Sequence, residues 1–267
     1  MIAMNSKDNL QSYLINYTPF SQRRITAEDC LVKAGAGRVV IVNNWDKGAL
    51  DPCLTSSLER WKTLAILTSD ILVYNAISVD SREAISINKL TAQRNQLYEQ
   101  YQNMLAPRHL AAGEISVCLK HFYALSAIAS SEHPYGLISE DDIIENVGCQ
   151  ITLADIVEEA DYFSADYIDL AGGCGLTPSQ NELRKMPSDG NICMLDIPRT
   201  RTSACYLISK RFAATASNLF LPLAMPIDWH IQALLRIHES AKAGWALKSP
   251  FLHGSEIGAY PSWRVNV

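Results

Sequence analysis

Residues 38–44 read RVVIVNN. Four β-branched residues in a row, closed by two Asn, predict a buried parallel strand ending in a loop. Residues 55–67, TSSLERWKTLAIL, open with hydroxyl side chains and place Leu58, Trp61, Leu64 and Leu67 at helical spacing. Residues 71–79, ILVYNAISV, read as a second strand. Strand, helix, strand is a βαβ unit, so an α/β fold with a mostly parallel central sheet flanked by helices follows.

Downstream, a polar helix is expected over 84–105, stopped by Pro107. A second helix opens at Gly113-Glu114 and carries a core-facing stripe of Ile115, Leu119, Phe122, Leu125 and Ile128. Residues 135–139 (YGLIS) form a short strand that ends in Glu140-Asp141-Asp142. A helix is expected at 150–159. A strand at 165–170 runs into the loop Gly172-Gly173-Cys174-Gly175. A strand at 202–209 continues into the helix KRFAATASNLF, and Pro226 opens the helix DWHIQALLRIHESA. Residues 249–267 read as an irregular C-terminal tail. Residues 1–37 are either an N-terminal extension or the first βα element. Leu14-Ile15-Asn16 competes with Ile41-Val42-Asn43-Asn44 as the first core strand, and the second fits the spacing to Val79 better. No repeat or linker divides the chain, so one domain over 1–267 is expected.

Hydrophobic residues at 48% against 19% charged allow a sizeable core and exclude global disorder. The formal net charge of -5 argues against nucleic acid as the partner, because phosphate binding needs a basic face. The seven Cys show no C-x-x-C spacing and read as reduced core thiols. The N-terminus lacks a basic segment followed by an apolar one, and no stretch reaches the ~18 apolar residues of a membrane span. A cytoplasmic protein is expected, with at most peripheral membrane association.

The acidic triplet lies where open α/β sheets bind ligands, at the C-terminal end of a strand. Three adjacent carboxylates repel one another, and a divalent cation offsets that repulsion. Oxygen ligands suit Mn²⁺ or Mg²⁺, which stabilises a departing diphosphate. The competing reading is a solvated acidic loop that caps the next helix. Asp228, after Pro226-Ile227, sits where a helix start favours a carboxylate; it is either a general base or a plain helix charge. Trp229 beside it is either a sugar-stacking surface or a core residue. Arg199 and Arg201 flank the Thr202 strand and are either contacts for a diphosphate or an acidic acceptor, or solvated charges.

The run Gly113-Glu114-Ile115-Ser116-Val117-Cys118-Leu119-Lys120-His121, the triplet after Leu137-Ile138-Ser139, the stretch Thr202 to Ser209 and Pro226-Ile227-Asp228-Trp229 resemble, in that order, segments of glycosyltransferase family 25. Asn75 to Asp80 is similar to a strand end of that family. The resemblance spans roughly residues 38 to 255. It implies a Rossmann-like glycosyltransferase-A-type fold and metal-dependent transfer of a hexose, galactose above all. The donor would be UDP-galactose or UDP-glucose, and the acceptor a saccharide or glycolipid of cell-surface lipooligosaccharide. It also implies inversion at the anomeric carbon. It places the metal at Asp142, with Glu140 and His253, and the base at Asp228. Donor contacts fall to Glu140, Asp141, Asn43, Arg60, Glu114, His121, Ser203 and Tyr206, and acceptor contacts to Trp229 and Gly173. Lys120, Ser116 and Ser81 depart from the family's Ser, Gly and Gly. Two alternatives stand beside this reading. One is a degenerate relative that binds without turnover. The other is a metal-dependent nucleotidyltransferase, for which Gly35-Ala36-Gly37-Arg38 is the one glycine-rich candidate, and it precedes a strand instead of following one.

Overall fold

The computed structural model describes residues 10–50, 92–93, 96, 110–173, 175–176, 183–185, 190–220, 223 and 225–261. The helix expected at 55–67, the strand at 71–79 and most of the helix at 84–105 lie outside these residues.

Ten described strands form: β1 (Leu10–Ile15), β2 (Val39–Val42), β3 (Tyr135–Glu140), β4 (Ile143–Glu145), β5 (Tyr167–Asp169), β6 (Leu183–Lys185), β7 (Ile192–Leu195), β8 (Cys205–Ser209), β9 (Ala243–Ala246) and β10 (Phe251–His253). Five described helices accompany them: α1 (Ser21–Lys33), α2 (Ala112–Ala129), α3 (Leu153–Phe163), α4 (Lys210–Asn218) and α5 (Ile227–Ile237). Eight strands make one sheet in the order β2-β1-β3-β8-β5-β9-β7-β6, and β10 pairs with β4 apart from it. The pairs β1–β2, β1–β3 and β5–β9 are parallel, while β3–β8, β5–β8, β7–β9 and β6–β7 are antiparallel. Traced across the sheet, six strands run one way and only β7 and β8 run against them. The expected Rossmann-like, mostly parallel arrangement is present.

The two-residue side-chain period of each strand sorts its apolar residues onto the two faces. Tyr13, Ile15, Ile138, Tyr206 and Ile208 pack under α2, α4 and α5. Leu10, Leu14, Leu137, Leu207 and Ile168 pack under α1 and α3. Helices on both faces explain why β3 and β8 are buried at every position. Gly136 permits the closest approach: a Cβ there would stand 2.3 Å from Ile128 of α2.

Both competing N-terminal stretches are strands, and the inner one is Leu10–Ile15. Among the described strands Val39–Val42 takes the edge, with three of its four residues only half-buried. The choice turns on β1 being flanked on both sides, which spacing to Val79 does not encode. Residues 1–37 thus include the βα element β1–α1. The helix near 150 begins later than expected. Thr152 caps it, accepting from Asp155 N, while Asp155 accepts from Thr152 N. The C-terminal stretch is not irregular throughout, because Phe251–His253 pairs with β4. No described helix is long and apolar enough to cross a membrane.

Candidate active site

The C-terminal ends of β1, β2, β3 and β5 meet the start of β8 along one edge of the sheet, because β8 runs the other way. The acidic triplet lies there, Glu140 ending β3 and Asp141-Asp142 leading into β4, and is buried. Each carboxylate is held differently. Asp141 Oδ2 accepts from Asn16 Nδ2 and Tyr17 N, both at 2.8 Å, which ties the end of β1 to the end of β3. Burial pushes the Asp141 pKa up to about 6; those two hydrogen bonds oppose the shift, and the Asp142 and Glu140 charges add to it.

Glu140 Oε1 accepts from Ser203 Oγ at 2.5 Å and lies 3.6 Å from His121 Nε2. His121 is fully buried, its Nδ1 2.8 Å from the Tyr206 hydroxyl, and its ring stacks on that of Tyr206. Glu140, His121, Ser203 and Tyr206, four of the residues expected as donor contacts, therefore form one network. Glu114 sits two turns before His121 on α2, and its carboxylate accepts from Ala111 N at the helix start.

Asp142 meets the segment that follows β10. The pairing of His253 with Ile143 brings the imidazole beside the acid. His253 Nε2 is 3.1 Å from Asp142 Oδ2, which also accepts from Ser255 Oγ at 2.7 Å. Burial alone lowers the His253 pKa, but the hydrogen bond to Asp142 and the charges of Asp142, Glu140 and Glu256 outweigh it and raise the pKa. Asp142 Oδ1 is buried with no hydrogen-bond partner. A carboxylate with one oxygen beside an imidazole and its other oxygen unpartnered fits a divalent cation. Among the described residues no ready group of three or more His, Cys, Asp or Glu surrounds a point where an ion would sit. Asp142 and His253 thus supply a pair, and Glu140 is turned toward Ser203.

Two residues important here carry no site role in the sequence reading. Lys120 lies on the buried face of α2, where its Nζ donates to Asn16 O at 2.6 Å and to Asp46 Oδ1 at 2.5 Å. Burial lowers its pKa, against the raising pull of Asp46 and Asp141. A charged residue on an apolar helix face was the available signal. Asn16 is the other: it, and not Asn43, is the asparagine that touches the triplet. Asn43 is exposed just past β2, with β1 between it and β3. Arg60 lies outside the described residues.

The segment before β8 turns from this acidic end to a second feature. Ser203 faces Glu140, and Arg201 Nη2 pairs with buried Asp169 Oδ1 at 2.7 Å. Asp169 also accepts from Ala171 N and Gly172 N, which fixes the loop after β5. Gly173 has φ +136°, and a Cβ there would stand 2.3 Å from Thr202. Its structural part is thus close packing against the same segment. Thr200 Oγ1 donates to Asp228 O at 3.0 Å, and Thr200 N donates to Gln232 at 3.3 Å, joining the segment to α5. Between them opens a cavity of about 390 Å³ lined by Asp228, Trp229, Arg199, Arg201 and Arg236. Trp229 is 44% exposed, so it is not a core residue.

No protein-family model and no curated protein sequence matches the chain. Three solved structures are similar in shape. UDP-glucose pyrophosphorylase from Acinetobacter baumannii aligns over 93% of this chain and 90% of its own at 10% identity, with a TM-score of 0.48. A UTP-bound form of the A. baumannii enzyme aligns over the same shares at 10% identity, with a TM-score of 0.45. Mouse xyloside xylosyltransferase 1 aligns over 85% of this chain and 81% of its own at 13% identity, with a TM-score of 0.36. At such identities and TM-scores these likenesses carry no argument.

Proposed function

We propose that the chain is a metal-dependent glycosyltransferase of the family 25 type, with a glycosyltransferase-A-like fold, acting in the cytoplasm. It transfers a hexose from a UDP-sugar, galactose first among the candidates, to a saccharide acceptor of a cell-surface glycan. The observation that carries this reading is the pairing of buried Asp142 with His253 on the same sheet edge as a cavity that exposes Asp228 and Trp229. Asp142 and His253 would hold Mn²⁺ or Mg²⁺, and such an ion neutralises charge on a departing diphosphate. Asp141 and Asn16, with the Glu140–Ser203–His121–Tyr206 network, hold the nucleotide-sugar.

Asp228 takes the proton of the acceptor hydroxyl. That oxygen bonds to the anomeric carbon as the bond to the UDP oxygen breaks, and UDP leaves with the electron pair. A single displacement of this kind inverts the anomeric carbon. Thermal unfolding with UDP-, GDP- and CMP-sugars, with and without Mn²⁺, tests the reading. A Mn²⁺-dependent rise confined to UDP compounds, absent in Asp142→Ala, is expected. No shift with any nucleotide would favour a binding protein without turnover. A shift with UTP and a sugar 1-phosphate, together with release of pyrophosphate, would favour a nucleotidyltransferase.

A further inference from the structure

The cavity beside α5 has a charge character opposite to that of the triplet. Among the described residues that line it, Arg199, Arg201 and Arg236 stand against one carboxylate, Asp228. Arg201 is oriented from behind by Asp169 and lies over the Trp245 ring, 4.8 Å from its centroid. Arg236 Nε donates to Pro198 O at 3.3 Å, which fixes its stem against the segment that carries Arg199. Burial first, and then the Arg199 charge, hold the Arg236 pKa below its ordinary value. Guanidinium groups that line one cavity present planar N–H forks matched to a carboxylate or a phosphate.

Positions 228, 232 and 236 repeat every four residues, so Asp228, Gln232 and Arg236 share one face of α5. Eight residues of helix separate the two charged ends by about 12 Å along the axis. A ligand can therefore place a hydroxyl near Asp228 and an anion near Arg236 without bringing that anion onto the carboxylate. Trp229 adds an exposed aromatic surface at the Asp228 end, suited to a sugar ring. The volume falls within the roughly 300–1,000 Å³ of small-molecule sites.

We propose that this cavity is the acceptor subsite and takes an anionic saccharide, a sugar bearing a carboxylate or a phosphate, with the anion on Arg199 and Arg236. The assignment rests on the transferase reading above, through Asp228 as the base.

Calorimetric titration of the full chain with methyl glucuronide, glucose 6-phosphate and neutral methyl glucoside tests it, with UDP plus Mn²⁺ titrated separately. Both charged sugars are expected to bind at least about tenfold more tightly than the neutral one, and Arg199→Gln or Arg236→Gln to lose about that factor. Arg236→Lys, which keeps the charge and loses the fork, should retain part of it. The stronger of the two charged ligands identifies a uronate or a phosphate as the natural group. UDP binding is expected to be unchanged in both Gln variants. Equal affinity for the neutral sugar overturns the proposal. So does a parallel loss of UDP affinity, which would make the cavity a diphosphate site. If charged sugars bind through the arginines while UDP does not bind at all, the anion subsite stands and the transferase reading falls. Arg236 is exposed, so its variants are expected to fold, and an unchanged unfolding midpoint checks this.

Discussion

The two ends of the functional edge manage charge in opposite ways. Around β3, each carboxylate is held by hydrogen bonds and nearby cations: Asp141 by Asn16 and Tyr17, Glu140 by Ser203, Asp142 by Ser255 and His253, with Lys120 beneath. Around the cavity, like-charged guanidinium groups stand together, and Arg201 is seated on the fully buried Asp169. The first end is organised before any ligand arrives. The second gathers arginines at a cavity wall, and such clusters of charge concentrate where ligands bind.

Breaking the comparison at its chemical centre should give the largest effect. Asp228→Asn keeps shape and removes the base, so transfer is expected to fall by about 10²–10⁴-fold, or roughly 3–5 kcal/mol in the barrier. The Mn²⁺- and UDP-dependent thermal shift should persist, since Asp228 is not among the residues around the triplet. A near-normal initial rate would remove Asp228 from the chemistry.

Next comes Arg201, the cavity arginine paired with Asp169. Arg201→Met leaves Asp169 buried, with its Oδ2 already without a partner, and is expected to destabilise by about 3–5 kcal/mol in urea unfolding. The double variant Arg201→Met with Asp169→Leu should recover much of that loss. Failure to recover would mean that the pair matters through the Ala171–Gly172 loop and not through charge.

Lys120→Met probes the other end. Asp46 is partly exposed and can rehydrate, so the expected loss is smaller, about 1–3 kcal/mol, mostly for the unmet Asn16 carbonyl. A loss as large as that of Arg201→Met would show that Lys120 also screens the triplet. The smallest effect belongs to Thr152→Ala, which removes the cap of α3 far from either end. About 1 kcal/mol of stability and no change in UDP binding are expected. Any change in UDP binding there would show that stability and site geometry are coupled, and would blur the other three comparisons.

Sequence patterning revealed the elements whose signals are local. The apolar stripe of α2, the short strand before the triplet, and the run from 202 into α4 were all readable, because period and capping are encoded within ten to twenty residues. Glu140, His121, Ser203 and Tyr206 were named together only through the family resemblance, and their contacts with one another are a finding of the structure. Pairing was not legible. Ile192–Leu195 and Ala243–Ala246 are too short to declare themselves as strands, and become strands by lying beside each other and beside β5. The inner position of β1 depends on two partners far along the chain, which is also why Asn43 was preferred to Asn16. Lys120 read as a departure from a motif because its counter-ion, Asp46, is 74 residues away. Arg236 was passed over because a single arginine on an amphipathic helix is indistinguishable from a solvated one until the opposite wall is known.

The reversed course of β8 has one further consequence. The chain crosses the functional edge before it enters the strand, so residues 199–203 carry the arginines at one end and Ser203 at the other, with no regular structure between. The distance from the cationic cavity to the acidic triplet is thus gauged by one short peptide. Lengthening or shortening it by a residue would change the span available to a bound donor and acceptor together. The same insertion at the far end of β8, where Ser209 caps α4, would leave that gauge as it is.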